Sequence, residues 1–305
     1  MDVGLLIRTL AQLYLMLALG FVLAKVKVLD SHANRCLSAM VVSAVYPMML
    51  LYSMMGQPGD RLAALGLLGG GFVLYGAMIL VAKLIVRLLP VPADRKRAFE
   101  CLLVFGNTGF IGAPLAQSLY GDAAFYQITL LNFAYYFFYN TYAVSALSPA
   151  GEKRGFHWRD LLTPGFVLTL LAVALYLLRF DAPELVGKTL YAVGSMTTPL
   201  SMIVLGSSLA MYPFRESVGD PWSYVYAAIK LLLFPALGWA AGLALGLDGR
   251  QAGLCVLTCA MPAGSMVLML ALQLKRDSAF ISRTIFVSTL LCALTLPVAA
   301  ILFLQ

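Results

Sequence analysis

The sequence predicts an all-α membrane protein with ten transmembrane helices, built as two five-helix halves of opposite orientation. Three observations predict it: long apolar runs, basic residues gathered in alternate connections, and matches between the two halves. Of 305 residues, 61% are hydrophobic and 11% charged, against roughly 25% charged in a soluble domain. Too little polar surface remains for a soluble chain of this length. Several apolar runs approach the roughly 20 residues that a helix needs to cross a bilayer.

Ten runs are read as spans: Val3–Leu23, Cys36–Met55, Leu62–Leu89, Ala98–Tyr120, Ala123–Leu147, Leu161–Leu178, Leu185–Met211, Tyr224–Leu247, Gln251–Leu274 and Ile281–Leu304. The first ends at Leu23-Ala24-Lys25 without a small-x-small cleavage site, so it is read as a span and not as a removable leader. Cys36, Cys101, Cys255, Cys259 and Cys292 all fall in or beside apolar runs. None has zinc-ligand spacing with histidine, and they are read as small buried side chains. The sequence calls for no cofactor and no metal.

The net charge of +7 in a soluble protein would raise nucleic acid as a partner. Here the basic residues lie between apolar runs and report topology instead. Alternate connections carry Lys25, Lys27, Arg35; Arg87, Arg95, Lys96, Arg97; Lys153, Arg154, Arg159; Arg215; and Lys275, Arg276, Arg283. The other connections and span ends carry Arg8, Arg61, Arg179, Lys188 and Arg250. Fourteen against five places the first set in the cytoplasm and both termini outside, as ten spans require.

The longest polar connection, Ser148–Asp160, divides the chain. Residues 1–147 form the first repeat, 148–160 a cytoplasmic loop, and 161–305 the second. At an offset of 155, Gly109, Leu115, Ala116, Leu119, Asp122, Ala124 and Phe125 meet Gly264, Leu270, Ala271, Leu274, Asp277, Ala279 and Phe280. Spans 2 and 7 each hold a mid-span proline, Pro47 and Pro199. Five is odd, so the second half enters the membrane inverted. Inverted repeats are a common construction of secondary transporters, whose sites lie where equivalent helices are broken.

Both breaks are legible. Span 4 contains Phe105-Gly-Asn-Thr-Gly-Phe-Ile-Gly-Ala-Pro114, and span 9 contains Cys259-Ala-Met-Pro-Ala-Gly-Ser265. At the 155 offset Asn107 meets Pro262. Glycine and proline at this density do not sustain a continuous helix. The helical halves after each break would offer unpaired N–H groups and partial positive charge, which suit an anion. The candidate site is therefore Asn107 and Thr108, with backbone N–H groups around Gly109 and Gly264.

The motif Gly106-Asn-Thr-Gly-Phe-Ile-Gly-Ala-Pro-Leu115 resembles the signature of the auxin efflux carrier family, which includes PIN-type carriers and bacterial permeases for organic acids such as malonate. The likeness extends to Pro199–Ala210, to Ala260–Gly264 and to Pro297. It implies a fold similar to that of bile-acid sodium symporters and the NhaA antiporter type. That fold has a scaffold domain, a mobile domain with two crossing broken helices, and elevator-like alternating access. It also implies that Asn107 and Pro262 are the crossover residues, and that Asn132 corresponds to a polar amide early in helix 5. The central loop of about a dozen residues differs from the long loop of many plant members. The resemblance thus points to a bacterial-type carrier of a small organic anion in the inner membrane.

Other polar residues in the spans carry functional and structural alternatives. Lys83 and Lys230 occupy equivalent spans 3 and 8, where an ionisable group suggests function, though each could reach an interface. Glu100 lies in the first turn of span 4 beside Arg97, where a helix N-terminus favours a carboxylate; proton coupling is its functional alternative. No paired midplane carboxylates suggest a sodium/proton antiporter. Tyr135, Tyr136, Tyr139 and Tyr142 are read as packing or cavity residues. Glycine rows at Gly66–Gly76 and Gly238–Gly246 suit helix packing within a scaffold or between protomers of a homodimer.

A sodium-coupled bile-acid-type symporter and a non-transporting receptor are the competing functions. An intramembrane enzyme is disfavoured, because His32 and His157 both fall in connections and leave no base or ligand set at membrane depth.

Overall fold

The computed structural model describes residues 3–55, 61–148, 164–178, 180, 182–211, 218–276 and 278–303. The central loop 148–160, except Ser148, lies outside them, as do His157 and Asp277. The described residues form helices α1 (Val3–Lys25), α2 (Ser31–Met54), α3 (Arg61–Leu88), α4 (Lys96–Val104), α5 (Ala113–Tyr120), α6 (Asp122–Leu131), α7 (Phe133–Phe138) and α8 (Val144–Leu147). They continue with α9 (Pro164–Leu177), α10 (Glu184–Gly194), α11 (Thr197–Met211), α12 (Pro221–Ala244), α13 (Gly249–Ala260), α14 (Ser265–Gln273) and α15 (Ala279–Phe303).

Among the described residues, six helical stretches are long and apolar enough to cross a membrane. They correspond to the sequence's spans 1, 2, 3, 7, 8 and 10. Spans 4, 5 and 9 are interrupted, and span 6 is described only from Pro164. Leu15, Leu80 and Leu294 are exposed, as suits side chains facing lipid. The result is an all-α membrane protein.

Aspartates cap the starts of three helices. The carboxylates of Asp30, Asp220 and Asp248 accept from the N–H groups of Ala33, Trp222 and Gln251 at 2.7, 3.0 and 2.8 Å, each satisfying a first-turn donor. Asp220 also accepts from Arg95 at 2.7 Å.

Three prolines set π-helical turns. The turns Val41–Val45, Thr108–Gly112 and Ile229–Leu233 each end two residues before Pro47, Pro114 or Pro235. A proline lacks an N–H and its ring crowds the carbonyl four residues back. The preceding residue then donates one position further: Tyr46 to Val41, and Phe234 to Ile229. A fourth π-turn, Tyr139–Ala143, has no such proline. There Asn140 Nδ2 and Thr141 Oγ1 donate to the carbonyls of Tyr136 and Phe137, both at 2.8 Å.

The chain divides into two compact units, each drawing on both halves of the sequence. The first comprises 1–68, 109–133 and 162–212. Its helices approach closely at glycines. A Cβ on Gly206 would collide with the Leu17 carbonyl of α1, and one on Gly194 would lie 2.7 Å from Met49 Cα of α2. The second comprises 69–108, 134–161 and 213–305 and contains the crossing described next.

Candidate functional site

Helix α4 stops at Val104, and α13 stops at Ala260. Proline drives the second break. Helical geometry is disfavoured for the residue before a proline, and here Met261 adopts φ −66°, ψ 139°. The chain stays extended to Gly264 (φ −83°, ψ 135°), and α14 then starts at Ser265. On the other strand Phe105 leaves the helix at φ −97°, ψ 81°.

The two extended segments meet antiparallel, with Gly106 opposite Ala263. Asn107 N–H donates to the Pro262 carbonyl at 2.8 Å, and Gly264 N–H donates to the Phe105 carbonyl at 3.0 Å. Pro262 has no N–H to return the first bond. Asn107 thus meets Pro262, the residue 155 positions further along the chain.

Glycine makes this approach possible. A Cβ on Gly264 would lie 2.6 Å from the Phe105 oxygen, and one on Gly106 would lie 3.1 Å from both the Cβ and the oxygen of Met261. Here the backbones themselves touch, a use for which glycine alone is suited.

Side chains hold the crossing from three sides. Ser288 Oγ of α15 accepts from Ala263 N–H at 3.2 Å and donates to Thr284 O at 2.6 Å. Tyr226 and Lys230 of α12 reach the end of α4: the hydroxyl donates to Leu102 O at 2.8 Å, and Nζ to Leu103 O at 2.7 Å. Tyr139, in the fourth π-turn, donates to Met266 O in α14 at 2.9 Å. The Phe105 ring packs edge-on against Tyr135 and Tyr139, with centroids 5.2 and 5.7 Å away. Thr108 lies beside the Tyr75 phenol.

Of the residues singled out from sequence, Asn107, Thr108, Pro262 and Gly264 come together in the second unit. Asn107 and Thr108 are buried. The Gly264 N–H is committed to Phe105, so this residue serves the crossing through its missing side chain. The donors without an intrahelical partner at the start of α14 are those of Ser265 and Met266. Gly109 and Asn132 belong to the first unit. Asn132 is buried at the end of α6, its N–H donating to Ile128 O at 2.9 Å.

The three ionisable candidates differ in their surroundings. Glu100 is buried in α4, accepts from the Tyr142 hydroxyl, and lies 3.6 Å from Arg97. Lys83 is exposed, with Nζ 4.9 Å from the Tyr142 ring centre. Lys230 is fully buried. Sequence reasoning missed Ser288, Tyr226 and Tyr75. Tyr226 had a signal, since it sits four residues before Lys230 on the same helix face.

The family model of membrane transport proteins matches residues 5–157 and 153–300. The chain belongs to this family, that of the auxin efflux carriers. It is 22% identical to an uncharacterised transporter of Methanothermobacter thermautotrophicus, over 95% of this chain and 96% of the relative. Another uncharacterised transporter, of Methanocaldococcus jannaschii, is 24% identical over 61% of each chain. Auxin efflux carrier component 3a of rice, Oryza sativa subsp. japonica, is 26% identical over 44% of this chain and 22% of its own length. The protein is thus a membrane transporter and not an enzyme. Two of the motifs by which the transporter's sequence resembles the family, Gly106–Leu115 and Ala260–Gly264, lie at the helix breaks.

Proposed function

We propose that this transporter moves a small organic anion, a carboxylate, bound at the crossing of the two broken helices. The observation that carries the proposal is the antiparallel meeting of Gly106–Asn107 with Pro262–Ala263. Buried Asn107 and Thr108 bring polar side chains to this backbone junction, and the first turn of α14 adds N–H donors suited to negative charge. Gly109 of the motif and Asn132, which the family resemblance adds, are further candidates and lie in the first unit.

Ten spans in a 5+5 inverted repeat, with both termini outside, belong to the same proposal. Support comes from the basic-residue pattern and from the meeting of Asn107 with Pro262, which align at the 155-residue offset. In this reading the first unit acts as the scaffold, and the second moves as an elevator in a bacterial inner membrane, with the carrier acting as a monomer or homodimer. A membrane potential is worth about 2.3 kcal/mol per charge per 100 mV. With a negative cytoplasm, uncoupled anion flux then runs outward, and import needs a co-transported cation such as a proton.

The test is flux of labelled malonate and of a panel of mono- and dicarboxylates in proteoliposomes. We expect saturable flux of at least one carboxylate, diminished by Asn107→Ala. Carboxylate flux and affinity unchanged in that variant would remove the crossing from substrate binding.

A further inference from the structure

The break in α4 leaves carbonyls to account for, among them those of Leu102 and Leu103. In a continuous helix the N–H of Gly106 would bond Leu102 O, and that of Asn107 would bond Leu103 O. Asn107 N–H goes instead to Pro262 O across the crossing. Tyr226 and Lys230 take up the two acceptors: the hydroxyl meets Leu102 O at 2.8 Å, and the ammonium meets Leu103 O at 2.7 Å.

The ammonium is unusual in its surroundings. Lys230 is 0% exposed. Its Nζ lies 4.5 Å from the centre of the Phe234 ring, whose face attracts a cation. Among the described residues no carboxylate pairs with it. Its electrostatic partners include the Leu103 carbonyl, the Phe234 ring face and the negative end of a helix dipole. Pro235 has a part in this placement, since Lys230 lies in the π-turn that precedes that proline.

Broken helices of secondary transporters present unwound carbonyls and half-helix C-termini that coordinate sodium or other cations. We propose that the Lys230 ammonium, with the Tyr226 hydroxyl, is a built-in substitute for such a cation at the C-terminal end of α4. The first arm of the crossing is therefore held by a covalently attached charge and needs no sodium or potassium. Lys230 is in this sense a positioning residue: it acts through Leu103 and the Phe105–Asn107 segment. The inference holds whichever anion is carried, and it separates this protein from a sodium-coupled symporter of similar fold.

The test is thermal unfolding of the purified full-length protein in sodium, potassium and choline chloride at equal ionic strength. Wild type is expected to melt within about 1 °C in all three. Lys230→Ala is expected to melt about 4 °C or more lower in choline. Sodium or ammonium ions should then stabilise that variant saturably while leaving wild type unmoved. Lys230→Met, which keeps the stem's bulk without a donor, should show the same loss and serves if the alanine variant does not fold. Saturable stabilisation of wild type by sodium would overturn the proposal, and this arm needs no variant. Equal losses in all salts would reduce Lys230 to packing, and a methionine variant with wild-type melting would remove it altogether; either overturns the substitution.

Discussion

Asn107 and Gly264 do different work at one junction. Asn107 spends its N–H on Pro262, and its amide is the side chain we assign to the substrate. Asn107→Ala is expected to weaken carboxylate binding roughly ten- to a hundredfold. A hydrogen bond to a charged group is worth about 1.5–3 kcal/mol, and about 1.4 kcal/mol is tenfold. Ligand affinity of the reconstituted variant checks this, with a monodisperse elution profile as the folding control. Gly264→Ala should fail differently. Its Cβ would sit 2.6 Å from the Phe105 oxygen and 2.9 Å from the Gly106 oxygen, so two backbones must separate. Overpacking of this kind costs about 1–3 kcal/mol. The variant should lose thermal stability and transport together, and retention of both would show that the crossing can open.

At the scale of elements, helix kinks and helix contacts follow from a few residue types. The π-turn Tyr139–Ala143 sends two tyrosines to the two broken helices: Tyr139 to Met266 O in α14, and Tyr142 to Glu100 in α4. Tyr142→Phe removes a donor from a buried carboxylate and is expected to destabilise the protein by about 1.5–3 kcal/mol, read as a lowered melting temperature. Glu100→Gln keeps an acceptor for Tyr142. Its flux is expected to follow an imposed pH gradient as wild type does, because Glu100 is here an anchor for a tyrosine. A response to the gradient lost with the carboxylate would make Glu100 the proton carrier instead. In the first unit, Gly206→Leu is expected to abolish stable expression, since even a Cβ there meets the Leu17 carbonyl; yield of folded protein in detergent measures it.

For the whole molecule, the proposed topology places the turn at Gly121 outside and Lys275 in the cytoplasm. Single cysteines at 121 and 275, on a cysteine-free background, should react with an impermeant reagent from opposite sides of intact cells. Labelling of both from outside would contradict the inverted repeat. Both positions suit a turn: Gly121 has φ 81° and Lys275 φ 52°.

Apolar runs of sufficient length, in a chain with 11% charged residues, already determined a helical membrane protein, because unpaired backbone cannot be left in lipid. The family motif, and the glycines and prolines that interrupt α4 and α13, were legible for a similar reason: backbone restrictions of Gly and Pro are local. Partners across the fold were not. Nothing local says that Gly264 N–H is taken by Phe105, that Ser288 supports Ala263, or that Lys230 closes the end of α4. From sequence Lys230 could be a substrate contact or a side chain reaching for the interface. Only the tertiary structure decided, because a hydrogen bond between residues 127 positions apart depends on how helices pack, which no local propensity encodes.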